Sequence, residues 1–108
     1  MIKIKDGVAL SGLKEEMLHA IDVMNAVFAE YGVDCVVTSA RDAGHKDHSH
    51  HYKGLAVDIR SKHLPDHTTK LVIEHRIKLE LGPDYQAFLE NANRLQEHYH
   101  VEYDPVTY

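Results

Sequence analysis

Ile2 and Ile4 alternate with lysines, which predicts a short edge strand over residues 2–4, and Asp6-Gly7 then signals a turn. Beyond it the period changes. Leu13, Met17, Ala20, Ile21, Met24, Val27, Phe28 and Tyr31 recur at spacings of three and four, the apolar stripe of a helix. Ser11 is the expected N-cap, the helix is expected to run to about Tyr31, and Gly32 fits the left-handed C′ position that ends it. Val33 to Ser39 reads as a valine-rich buried strand, followed by a polar loop from Ala40 to His50.

Leu55, Val57 and Ile59 alternate with Ala56, Asp58 and Arg60, a half-buried strand in which Asp58 shares a face with small Ala56. Asp66 is the expected cap of a second helix over roughly 67–81, with Leu71, Val72, Ile77 and Leu81 inward and Gly82 at its end. Tyr85 to Leu89 is a further predicted strand, 91–97 a loop, and 98–103 a last strand that puts His98, His100 and Glu102 on one face. The order β-α-β-β-α-β-β predicts a single α+β domain over residues 1–108, a mainly antiparallel sheet flanked by helices.

Composition narrows the function classes. A net charge of −5 argues against a nucleic-acid binder, which needs a basic face. No run of apolar residues is long enough to span a bilayer, so no membrane insertion is expected, and the N-terminus lacks the apolar core of a signal peptide. The expectation is synthesis in the cytoplasm. With one cysteine, neither an internal disulfide nor a cysteine-rich zinc site is available, and Cys35 reads as a buried inert thiol.

Histidine is the anomaly. There are ten, with His45, His48, His50 and His51 clustered in the polar loop and His98 and His100 in the last strand. Histidine is the commonest metal ligand. His51 at the loop's exit and Asp58 inside the next strand can reach one point from a turn and from the strand it feeds, with Gly54 allowing tight curvature between them. His100 can add a third ligand from a neighbouring strand. Two imidazoles and one carboxylate form a typical catalytic zinc shell with an open fourth position for water. Hydrolysis then needs a carboxylate to move the water's proton, for which Glu97 is the candidate, and His98 is placed to stabilise the developing oxyanion.

At these residues the chain resembles a known family. Ser49-x-His51-x-x-Gly54-x-Ala56-x-Asp58 is similar to the Ser-x-His-x-x-Gly-x-Ala-x-Asp motif of the zinc D-Ala-D-Ala peptidases of the VanX and VanY type, and Glu97-x-x-His100 to their Glu-x-x-His motif. That family includes phage L-alanyl-D-glutamate endolysins and shares its fold with the Hedgehog signalling domain. The stretches from Thr38 to Asp58 and from Glu97 to Pro105 look most like short phage-encoded members. The resemblance implies a Hedgehog/DD-peptidase-like fold, zinc held by His51, Asp58 and His100, Glu97 as general base, and peptidoglycan stem peptides as substrate. Larger members carry a substrate-binding arginine shortly after the strand ending at Thr38-Ser39; Arg41 stands one position off that place and is the candidate for the same role.

The expected activity is thus cell-wall peptide hydrolysis, as a D,D-carboxypeptidase or as an endopeptidase at the L-Ala–D-Glu bond or a cross-link. The expected setting is phage lysis or wall penetration, by release at lysis or as a virion component. Two other readings stand beside it: a non-catalytic zinc-bearing binding or virion-assembly module of the same fold, and a histidine-rich metal buffer built on His45, His48, His50 and His51. Glu102 is expected to orient a ligand imidazole rather than to bind metal itself.

Overall fold

The computed structural model describes residues 1–40 and 54–105. The expected polar loop, with Arg41, Asp42, His45, His48, Ser49 and His50, therefore lies outside the described residues, Ala40 excepted, and so do His51 and Tyr52 beyond it. The elements run β1 (Ile2–Ile4), α1 (Glu15–Glu30), β2 (Cys35–Ser39), β3 (Ala56–Arg60), α2 (His67–Leu81), β4 (Tyr85–Glu90) and β5 (His98–Tyr103). This is the predicted order, and the chain is a small α+β protein. Its five-stranded sheet is mixed, in the order β1-β2-β3-β5-β4: β1 pairs with β2 in parallel, and every other pairing is antiparallel.

Alternation along the strands sets the two faces of the sheet. Val37, Val57, Ile59, Ala87, Tyr99 and Val101 point to one face and are buried beneath Met17, Ile21, Met24 and Phe28 of α1 and Ile73 and Ile77 of α2. Phe28 meets Tyr99 edge to face at 6.0 Å between ring centres, a favoured aromatic geometry. The Tyr99 hydroxyl, carried deep into the core, donates to the Lys70 carbonyl at 2.6 Å. Cys35 lies fully buried among these groups, and burial pushes its thiol up to about 12, the inert state expected of it.

Helix ends follow local chemistry. Gly32 takes φ +70°, its N–H reaches Ala29 O, and Val33 N–H reaches Phe28 O, the paired closure that a left-handed residue permits. The Asp66 carboxylate accepts from Thr69 N–H at 2.7 Å and caps α2 as predicted. Two expectations are corrected. Helix α1 begins at Glu15 rather than after Ser11, because Gly12 at φ +87° and the Leu13 N–H to Leu10 O bond hold that stretch as a turn. Leu71 and Val72 are exposed, while Ile73 and Ile77 face the core. At about 100° per residue Leu71 stands nearly opposite Ile73, so the inward stripe runs through 73, 77 and 81.

Gly54 opens the chain's entry into β3. Its φ is +76°, and a Cβ there would collide with the carbonyl oxygen of Gly12; its own carbonyl accepts from Lys14 N–H at 3.0 Å. The residue thus clamps the approach to β3 against the turn before α1. Gly54→Ala is expected to cost about 2 kcal/mol or more, from the left-handed backbone plus a clash with main chain that has little room to move. Thermal or urea denaturation checks it.

Candidate metal centre

The face of the sheet turned away from the helices carries the chemistry. Cross-strand pairing sorts it into three rows: Arg60, His98 and Glu90; Asp58, His100 and Phe88; Ala56, Glu102 and Gln86. Residues directly opposite on neighbouring strands hold their Cβ atoms about 5 Å apart, so pairing alone brings an aspartate from β3 and two histidines from β5 to one place. Small Ala56, itself fully buried, stands in the third row beside them. The expectations that Asp58 shares a face with Ala56, and that His98, His100 and Glu102 share theirs, both hold.

Asp58, His98 and His100 each offer one ligand atom, and these lie within 4.8 Å of one another. Asp58 Oδ1 is 3.0 Å from His100 Nδ1 and 3.6 Å from His98 Nε2. Donors around a tetrahedral ion with bonds of about 2.1 Å stand roughly 3.4 Å apart, so the observed separations bracket what one divalent ion needs. The other ring nitrogens are occupied in the manner of metal-bound imidazoles. His100 Nε2 meets Glu102 Oε1 at 3.0 Å, and His98 Nδ1 donates to Gln96 O at 2.6 Å. Glu102 thus touches the imidazole it was expected to orient. Phe88 stacks on the His100 ring with centres 5.5 Å apart.

This donor set suits a borderline cation such as zinc, and the group could hold a metal ion. The side chains of Asp58, His100 and Glu102 are only 14–15% exposed, enough shielding to strengthen their interactions. Burial opposes charge on His100. Its hydrogen bonds to Asp58 and Glu102, with the fields of Asp58 and Glu90, outweigh burial and raise its pKa above the ordinary imidazole value of 6.5.

Glu97 differs from the solvated loop carboxylate its position suggests. It is 6% exposed. Its Oε1 accepts from Lys70 Nζ and from Ser61 Oγ, both at 2.7 Å, and its Oε2 accepts from Asn93 N–H at 2.7 Å. Burial alone would raise its pKa; these contacts overcome that and lower it to about 2. The carboxylate closes the β4–β5 connection, in which Asn91 and Asn93 take positive φ, a conformation asparagine tolerates. It also lines a cleft shared with Asp58 and His98.

Of the residues singled out in the sequence, the structure brings together Asp58, His98 and His100, with Glu97 beside the same cleft. His51 and Arg41 lie outside the described residues. His98, expected to stabilise an oxyanion, has its Nε2 3.0 Å from Glu90 Oε2 and 3.6 Å from Asp58 Oδ1, and stands in the group that could hold a metal. Sequence reasoning missed Glu90, whose Oε2 is 3.0 Å from His98 Nε2, because it lies one residue past the predicted strand of Tyr85 to Leu89, whereas β4 runs through it. It also missed Lys70 and Ser61, whose contacts with Glu97 cross between distant segments and leave no local signal. Compared with family models, with curated proteins and with solved structures, the chain matches none.

Glu102→Gln should weaken divalent-metal binding by about tenfold to a hundredfold without unfolding the chain, the usual cost of losing a carboxylate behind a ligand imidazole; a competition titration against a chromophoric chelator reads it. In the metal-free chain the raised pKa of His100 adds stability below its unfolded value, and that contribution is lost as pH rises through the folded value. Metal must displace the same proton. Apparent metal affinity is therefore expected to climb steeply between about pH 6 and pH 8, and a flat titration would rule out histidine ligation. For Glu97 the sign reverses: a depressed carboxyl pKa stabilises the fold above about 4.5 and loses that contribution as pH falls toward 2. Glu97→Gln should cost on the order of 3 kcal/mol at neutral pH, and the gap to the parent should shrink in acid denaturation.

Proposed function

We propose that the chain is a zinc-dependent peptidase of the D-Ala-D-Ala peptidase type that cuts peptidoglycan stem peptides, a short phage-encoded member acting on the cell wall. The reading is carried by Asp58 and His100 standing opposite each other on paired strands, with ligand atoms 3.0 Å apart. They are the two described members of the ligand set that the motif resemblance implies, and His51 would complete it. Asp58, His98 and His100 fit such an ion by donor type and by separation. Bound zinc would supply a hydrolytic nucleophile at neutral pH and polarise the scissile carbonyl.

The chain's own residues have separable tasks. Asp58 and His100 bind; Glu102 fixes the His100 ring, and the Gln96 carbonyl fixes that of His98. Arg41 would hold a substrate carbonyl or carboxylate. Glu97 would accept the proton and return it to the leaving amine, and for that its grip by Lys70 must loosen, since a carboxylate near pKa 2 is a weak base. Glu90, 38% exposed and in contact with His98, is another carboxylate within reach of the site.

The same locked Glu97 favours a second reading, a metal-stabilised binding or virion-assembly module without turnover. Release of new amino termini from purified peptidoglycan by the zinc-loaded chain decides between the two, with a known wall peptidase as positive control. Activity supports the peptidase, and its absence leaves the module. If turnover is found, Glu97→Gln and Glu90→Gln are expected to divide the roles. The variant that keeps its zinc and loses at least about a hundredfold in turnover carries the proton transfer.

A further inference from the structure

Beside the metal group lies a cleft of about 400 Å³. Its walls include Asp58 and His98, with Lys5 from the end of β1, Thr38 of β2, Arg60 of β3 and Lys62 just beyond β3. Arg60 is in the cross-strand row of His98, one row from Asp58 and His100. Its side chain therefore stands on the face that carries the ligands.

The charge of this cleft departs from that of the molecule. The chain carries a net charge of −5, yet three cations meet here, all exposed. Of the two carboxylates on the walls, Glu97 is paired with Lys70 at 2.7 Å, and Asp58 belongs to the group that would be taken up by a bound ion. Among the described residues, no ion pair engages the side chains of Lys5, Arg60 or Lys62. Lys3 and Arg76, by contrast, are paired with Asp34 and Glu30. Gathering like charges around a concavity works against folding unless an anion uses them, and walls of one sign concentrate counter-ions. Arginine adds a planar fork that matches a carboxylate bidentately. A divalent ion on Asp58, His98 and His100 would strengthen the same field.

We infer that this cleft is a recognition subsite for a carboxylate of the substrate, engaged by Arg60 with Lys5 and Lys62, which seats an acidic peptide against the metal group. The inference rests on the peptidase reading for the ligand being a peptide; the anionic preference comes from the cleft itself. Two stem-peptide groups carry the required chemistry, the terminal carboxylate of D-Ala-D-Ala and the carboxylates of D-Glu.

The experiment titrates four probes into the full zinc-loaded chain: N-acetyl-D-Ala-D-Ala and N-acetyl-L-Ala-D-Glu, each as the free acid and with every carboxyl group amidated. Amide-proton chemical shifts read binding, and mass spectrometry of the same samples records cleavage. At least one acid is expected to bind about tenfold more tightly than its amide. That preference should fall below about threefold in Arg60→Gln and in the Lys5→Gln/Lys62→Gln double variant, with zinc content unchanged. The arm that shows it tells which carboxylate is read. Equal binding of acid and amide in both arms, or a preference that survives both variants, overturns the inference. Acid preference without cleavage here or from peptidoglycan keeps the subsite and sinks the peptidase reading; cleavage without acid preference does the reverse.

Discussion

Antiparallel pairing of β3 with β5 sets Asp58 directly across from His100 and leaves His98 one row away. Side chains alternate between faces, so a slip of one residue would drive an aspartate or a pair of histidines into the core and expel Val57, Ile59, Tyr99 and Val101 from it. The hydrophobic face thereby enforces the register, and the register builds the polar site. The group needs no dedicated scaffold beyond two neighbouring strands, which also explains how so short a chain can carry it.

Around that core of three donors the carboxylates divide by environment. Glu102 and Glu90 each touch an imidazole from the flank. Glu97, a few residues away, is buried and neutralised by a lysine, a serine and a main-chain N–H. The same functional group thus serves once as an orienting partner and once as a structural tie, and the difference lies in which donors surround it. In the cleft the reverse holds, with cations presented and Glu97 already paired.

Much of the fold was legible because its signals are local. The period of α1, the aspartate capping α2, the glycine after α1 and the alternation of β3 and β5 all act within a few residues. The shared face of His98, His100 and Glu102 followed from strand alternation alone. What escaped required contacts between remote segments. The parallel pairing of β1 with β2 depends on α1 returning the chain alongside its start. Lys70 reaches Glu97 from another element, and Arg60 acquires its meaning only when β1, β2 and β3 converge on one cleft. Leu71 and Val72 differ for another reason: both are apolar, but their angle around the helix turns them away from the stripe of Ile73 and Ile77.

Helix α2 lies on the opposite side of the sheet from Asp58, His98 and His100, yet it grips the hairpin that carries most of that group. The Lys70 carbonyl takes the Tyr99 hydroxyl, the Lys70 ammonium takes Glu97, and Glu74 accepts the outward N–H of Leu89 on β4 at 2.6 Å. Two residues one helical turn apart thereby fasten both strands and the connection between them. These contacts couple α2 to the face that carries His98 and His100, so an ion held there would also oppose opening of a helix it never contacts. The bond at Leu89 has a further effect. It occupies a main-chain donor on the sheet's outer margin, where another strand would otherwise add, and so discourages edge-to-edge growth of the sheet at that point.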